Sequence, residues 1–251
     1  MSRNRFKSPG RWPPVMKMRA VFFDFVGTLI TKEGENETHL NIIREVLRRA
    51  SAELNPEEVW KAYEEESSRL FAELAGKEAR KIRDVDTEAL KLVAKRYGFS
   101  VPKEFWEISL EMHARHGKLF PDAVDTIKAL KELGLHVGII TDSDNDYIES
   151  HLKALGIYGL FDSITTSEEA GYFKPHPRPF LIALQKAGVK PEEALYVGDN
   201  PAKDCVGARN VGMMSVLLDP KGEKRELWTN CHFVVSKLSE VVEIVKGLLE
   251  K

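Results

Sequence analysis

Apolar residues follow two different rhythms along this chain. Residues 20–23 (A-V-F-F), 136–141, 194–197, 214–218 and 233–235 are short, mainly apolar runs bounded by turn residues, the pattern of buried strands, and 163–166 (S-I-T-T) reads as a further short strand. Helical periods at 144–155, 179–187, 201–211 and 238–249 alternate with the later runs. Such alternation predicts a parallel sheet with right-handed crossovers. The stretch between the first two runs breaks the rhythm. Leu40, Ile43, Val46 and Leu47 recur at helical spacing within 36–50, and Val59, Tyr63, Leu70 and Phe71 within 56–74. Val85, Ala89, Leu92 and Val93 do so within 84–97, and Phe105, Trp106, Ile108, Leu110 and Met112 within 103–116. Pro56 and Pro102 stand where helices start, Gly76 and Gly98 where they stop. Four amphipathic helices without a strand predict a small bundle. The expected fold is therefore α/β: a doubly wound parallel-sheet (Rossmann-like) core from residues 19–32 and 118–251, with an inserted four-helix domain over 33–117. The insert follows the first strand directly, so it is expected over the C-terminal edge of the sheet, where a lid belongs.

Composition narrows the class. The chain has 251 residues, of which 43% are hydrophobic and 30% charged, and its net charge is −2. That describes a globular protein with ample core and no basic field to attract nucleic acid. No apolar stretch approaches the ~18 residues of a membrane span. Cys205 and Cys231 show no metal-binding spacing, and so few cysteines favour a reduced, cytoplasmic setting. The charge-rich surface leans towards a thermophile. The first nineteen residues carry six Lys/Arg, no acid, and Pro9, Pro13 and Pro14, without the apolar run of a signal peptide. Residues 1–18 are expected to be a disordered extension, or sequence upstream of a start at Met16 or Met18; a short nucleic-acid-binding arm is the alternative.

The chemistry lies at strand ends. Asp24 follows the first apolar run, in R-A-V-F-F-D-F-V-G-T-L-I. A carboxylate there is costly unless a partner or ligand meets it, and ligands of open α/β sheets bind outside the carboxyl ends of strands. Gly27 fits the tight turn that follows. Thr141 and Asp142 stand at the tip of 136–141, Lys174 in the loop E-A-G-Y-F-K-P-H-P, and Asp199 at the tip of 194–197, with Asp204 in the next turn (G-D-N-P-A-K-D). Two carboxylates can hold Mg2+ together with phosphate and water. A hydroxyl, a lysine and free N–H groups at helix starts suit a phosphoryl dianion. Asp24 is then placed as a nucleophile.

D-F-V-G-T-L, T-D-S, K-P and G-D-N-P-A-K-D, in that order, resemble the four motifs of the haloacid dehalogenase (HAD) superfamily, and the helical insert resembles its C1 cap. The resemblance extends from about Arg19 over the rest of the chain. It implies a Mg2+-dependent phosphatase acting on a small phosphorylated metabolite through an aspartyl-phosphate. It carries the nucleophile onto Asp24. The metal falls to the Asp24 and Asp199 side chains and the Val26 carbonyl, and phosphoryl binding to Thr141 and the Asp142 N–H. Lys174 receives charge neutralisation, and Asp204 the task of orienting Lys174 or a metal-bound water. The implied partner is the substrate alone, with no nucleic acid and no membrane expected; a monomer or homodimer is expected.

Phosphatases of this superfamily usually carry a second Asp two residues after the nucleophile, and this chain has Val26. General acid–base help is worth ~10²–10⁴-fold, so good leaving groups or slow turnover are expected. Haloacid dehalogenases and phosphonate hydrolases also lack that Asp. Asp199 and Asp204 weaken the dehalogenase alternative, since a metal-free attack on a C–halogen bond has no use for them and they repel an anionic substrate. The phosphonate alternative requires a Schiff-base lysine, and nothing selects one among Lys61, Lys77, Lys81, Lys91 and Lys95. A phosphate-binding protein with vestigial catalysis is the non-enzymatic alternative. Asp144 and Asp146 read as caps of the following helix. His113, His116 and His176 read as helix-end or loop residues rather than ligands, and Trp60, Tyr63, Phe105 and Trp106 as core of the insert.

Overall fold

The computed structural model describes residues 17–223 and 225–250. Most of the expected N-terminal extension lies outside them. Met18, which fell inside that expectation, is instead packed into the core at 2% exposure.

Six parallel strands form one sheet in the order β3-β2-β1-β4-β5-β6: β1 Ala20–Phe23, β2 His136–Thr141, β3 Ser163–Thr166, β4 Ala194–Gly198, β5 Met214–Leu218 and β6 Phe233–Val235. The chain enters at β1, winds outward through β2 and β3, and returns across β1 to β4. The topological switch thus lies between β1 and β4, the place where such sheets bind ligands. Alternation along β1 explains why both faces are covered. Val21 and Phe23 join one apolar cluster, Ala20 and Phe22 the other. The first cluster takes α5 (Ala123–Glu132), α6 (Asn145–Ala154) and α10 (Ser239–Leu249); the second takes α8 (Pro177–Ala187) and α9 (Val206–Asn210).

Four helices, α1 Lys32–Arg49, α2 Pro56–Leu74, α3 Ile82–Tyr97 and α4 Phe105–His116, intervene between β1 and α5. They bury an apolar cluster of their own, including Ile43, Val59, Val85 and Phe105. Their ends follow from local chemistry. Thr31 and Asn55 cap α1 and α2 through their side-chain oxygens, Pro56 opens α2, and Gly98 closes α3 at φ 78°. Helix α1 starts earlier than the apolar period predicts because its first turn is polar. The two crossings between this unit and the sheet run antiparallel: Ile30 bridges Leu119, and the Thr31 N–H donates to Lys118 O at 2.8 Å.

Three expectations need correction. Helix α5 and the four-residue α7 (Ser167–Ala170) occupy stretches for which no element was assigned. Asp144 does not cap its own helix. Its two oxygens accept from the N–H groups of Ile82 (2.7 Å) and Arg83 (3.0 Å), so it caps α3 across the interface between the two units. Cys205 and Cys231 form a disulfide rather than free thiols. The fold brings their Cα atoms to 5.1 Å, a proximity that their spacing of 26 residues could not reveal. Disulfides are rare in most cytosols yet common inside hyperthermophiles, so the pair does not decide the compartment. No helix among the described residues is long and apolar enough to cross a membrane.

Candidate active site

Strand pairing puts three acids on one edge. The Asp24 N–H donates to Val197 O at 2.8 Å, which locks the end of β1 beside β4. Asp199 follows β4 directly, and Asp204 lies in a wide helical turn, Pro201–Cys205, that leads into α9. Carboxylate oxygens of Asp24, Asp199 and Asp204 all lie within 4.8 Å of one another. Two glycines make room. A Cβ on Gly27 would stand 2.8 Å from the Asp199 carboxylate, and Gly27 also sits at φ 81°. A Cβ on Gly198 would stand 2.3 Å from Asp204 Oδ2. No side chain fits at either position.

Lys174 is sunk among these acids at 2% exposure. Its ammonium lies 3.0 Å from Asp24 Oδ1 and donates to Asp204 Oδ1 at 2.7 Å and to the Tyr196 hydroxyl at 2.9 Å. The Tyr196 hydroxyl in turn donates to Ile140 O at 2.8 Å. The other oxygen of Asp204 accepts from the Asn200 N–H at 2.8 Å. Burial favours a neutral Lys174, but Asp204 and Asp24 outweigh it and hold the ammonium charged well above the usual lysine range.

Asp24 has the opposite problem. Burial, with Asp204 and Asp199 adding repulsion, pushes its carboxyl up to about 7 despite Lys174. The edge therefore carries more negative charge than its buried lysine balances. Lys32, the first residue of α1, leans in to help: its ammonium is 2.6 Å from Asp199 Oδ2. Burial lowers its affinity for protons, and Asp199 more than restores it. A cation at a helix N-terminus is disfavoured by the dipole, so the carboxylates are what hold it there.

Thr141 is buried at the tip of β2, in register with Thr166. The Asp142 side chain braces the scaffold: Oδ1 accepts from the Lys174 N–H at 2.9 Å and Oδ2 pairs with Lys203 at 3.2 Å. Helix-start N–H groups are largely committed already. Asn145 N–H donates to Glu168, and Ala202 and Lys203 N–H donate to the Asn200 side chain. Val26 is half-buried against the main apolar cluster. Its aliphatic side chain has no proton to give.

Sequence reasoning missed Lys32, Tyr196, Asn200 and Lys203. Asn200 before Pro201 is a legible helix-start signal, and a tyrosine inside a strand needs a hydroxyl partner when buried. Lys32 carried no signal, because its role depends on how α1 leaves the sheet.

The loop joining α2 to α3 rests on the segment that carries Lys174. Ala79 N–H donates to Gly171 O (2.9 Å), Phe173 N–H to Lys77 O (3.0 Å) and Gly76 N–H to Lys174 O (3.3 Å). Lys81 pairs with Glu168 at 2.9 Å, and Arg83 and Trp106 both reach Asp146. The four-helix unit thus lies down on the strand ends.

A family model described as "Hydrolase: haloacid dehalogenase-like hydrolase" matches residues 18–212. The chain is 38% identical over 130 residues to a glyceraldehyde 3-phosphate phosphatase of Methanocaldococcus jannaschii, covering 51% of this chain and 57% of that protein. The chain thus spans little more than half the length of that relative. It is 30% identical over 208 residues to the protein of the same name in Methanothermobacter thermautotrophicus, covering 80% of this chain and 86% of that one. Among solved structures, an L-2-haloacid dehalogenase from Xanthobacter autotrophicus superposes with a TM-score of 0.70 at 19% identity, covering 92% of this chain and 99% of that one. That likeness concerns the fold alone, so the chemistry must be read from the side chains.

Proposed function

The chain belongs to the haloacid dehalogenase-like hydrolases, and on that premise we propose that it is a Mg2+-dependent phosphatase of a small phosphorylated metabolite. One observation carries the reading. Three buried carboxylates converge within 4.8 Å beside the buried Lys174 ammonium, and burial with the neighbouring acids pushes the Asp24 carboxyl up. A site of that kind calls for a further cation, and Lys32 already leans into the demand. An all-oxygen donor set suits Mg2+, with Asp24, Asp199 and the Val26 carbonyl as ligands and Asp204 supporting Lys174. Mg2+ bound there would neutralise substrate oxygens and keep Asp24 ionised.

The remaining roles belong to the chain. An oxygen of Asp24 forms a bond to phosphorus as the ester P–O bond breaks, and the electron pair leaves with the alkoxide. Lys174 offsets the charge that develops between nucleophile and phosphoryl group, from a position fixed by Asp204 and Tyr196. Thr141 and the Asp142 N–H hold the phosphoryl oxygens. Water then hydrolyses the aspartyl-phosphate. The four-helix unit serves as a cap and keeps bulk water out. Val26 supplies no acid, so leaving groups that depart without protonation should turn over fastest. The names of the relatives make glyceraldehyde 3-phosphate the first substrate to try, and a cytoplasmic location fits such a metabolite.

A panel of phosphate monoesters, phosphonates and 2-haloacids, assayed with Mg2+ and with EDTA, tests the proposal. Monoester hydrolysis that requires Mg2+ is the expected result. Dehalogenation unaffected by EDTA would overturn it.

A further inference from the structure

A second cluster of ligand-type side chains lies where the two units join. Helix α1 sets Glu35 and His39 one turn apart, on one face. The last turn of α4 brings His113 against them. Glu35 Oε1 is 3.3 Å from His113 Nε2 and 3.6 Å from His39 Nε2, and one ligand atom from each residue lies within 4.8 Å of the others.

Hydrogen bonding orients the ligands. His113 Nδ1 is 2.7 Å from Ser109 O. A carbonyl only accepts, so Nδ1 carries a proton and Nε2 is the nitrogen turned towards Glu35. His113 is 3% exposed, yet its Nε2 makes no hydrogen bond, and neither does Glu35 Oε2. The Tyr147 hydroxyl of α6 donates to Glu35 Oε1 at 3.1 Å. A backbone carbonyl behind an imidazole and a hydroxyl behind a carboxylate are the outer partners that fix metal ligands. His151 of α6 lies beside His113, with ring centroids 5.6 Å apart and both nitrogens without hydrogen-bond partners. The cluster therefore holds more buried imidazole nitrogen than its hydrogen bonds use. His39 is half-buried, which leaves an entry path.

We propose that Glu35, His39 and His113 bind one divalent transition-metal ion of the Zn2+ class, separate from the Asp24 site. Two imidazoles and a carboxylate suit Zn2+, Co2+ or Ni2+ and leave a fourth position for water. Mg2+ prefers oxygen donors and does not compete well for such a set. The site ties α1 to α4 directly beyond the paired crossings Ile30–Leu119 and Thr31–Lys118. An ion there fastens the root of the four-helix unit.

The test uses the full chain, stripped with a chelator and returned to excess Mg2+ so that the Asp24 site is satisfied. Zn2+ is added, the protein is gel-filtered and bound zinc is counted. Wild type should retain about one equivalent, and its Tm should rise by about 5–10 °C at a hundredfold excess over Kd. Co2+ should give the visible ligand-field bands of a low-coordinate N/O site. His39→Ala, at a half-buried position, should lose the bands and the Tm rise. Tyr147→Phe should weaken binding by about 10–100-fold. No retained zinc in wild type, or equal retention by His39→Ala, would overturn the proposal and leave a simple His113–Glu35 ion pair.

Discussion

Asp24 and Glu35 are both buried acids, one at the tip of β1 and the other in the first turn of α1. Asp24 meets burial plus two more carboxylates, and its carboxyl rises to about 7. Glu35 is also penalised by burial, but His113, His39 and His151 surround it, and its carboxyl falls to about 2. Burial is common to both, so the neighbours decide the sign. The fold gives up stability at the strand ends, where the proposed nucleophile stands, and recovers some of it at the junction with the four helices, where an anion is a structural anchor. This is the pattern expected when function and folding make different demands on the same residue type.

The largest effect should come from removing the cation that links the acids. Lys174→Ala leaves Asp24 and Asp204 buried without their shared ammonium, and should cost about 3–5 kcal/mol. Urea unfolding would measure it. A loss below ~1 kcal/mol would mean that the carboxylates repack around water. Exchanging the anchor should cost less. Glu35→Gln in the metal-free protein should lose about 3 kcal/mol at pH 7. The sign follows from a folded pKa of about 2 against 4.5 unfolded. The Glu35 contribution is complete above pH 4.5 and disappears as the pH falls through 2, so the gap between wild type and variant should close in acid. A gap that stays constant with pH would break the comparison.

Asp24→Asn should do the reverse. A folded pKa of about 7 against 3.8 unfolded means that ionised Asp24 destabilises the metal-free protein, increasingly from pH 3.8 to 7. The variant should be more stable than wild type by about 1–3 kcal/mol at pH 8. The gain should vanish below pH 4. A loss of stability at pH 8 would show that the Lys174 contact outweighs the repulsion. The smallest effect concerns the contact between units. Asp144→Ala removes the cap of α3 and should cost about 1 kcal/mol. Hydrogen exchange should quicken at Ile82 and Arg83 before it does so in the sheet.

Strands were the most legible part of this molecule. Buried parallel strands are apolar on both faces, so 20–23, 136–141, 214–218 and 233–235 stand out as runs with sharp ends. Acids that break such runs mark the site, which is why Asp24 and Asp199 could be named and Lys32 could not. Contacts between the two units left no local trace. Asp144 reads as the cap of the helix it precedes, and only the folded chain shows that it caps another. His113 looked like a helix-end residue because a lone histidine says little. The spacing of Glu35 and His39 was the available hint, and it gains meaning only when α4 supplies the third ligand. The cysteine pair was invisible for the same reason, as its partners meet only through the turn after β4.

Whether Asp24 is a nucleophile that works with a bound cation is the central question. Beryllium fluoride forms an acyl-phosphate mimic on a reactive aspartate beside Mg2+. Thermal unfolding of wild type and Asp24→Asn, each with Mg2+ and with Mg2+ plus beryllium fluoride, tests the claim directly. The account predicts a clear rise in Tm for wild type and none for Asp24→Asn. Equal shifts in the two proteins, or no shift in wild type, would contradict it.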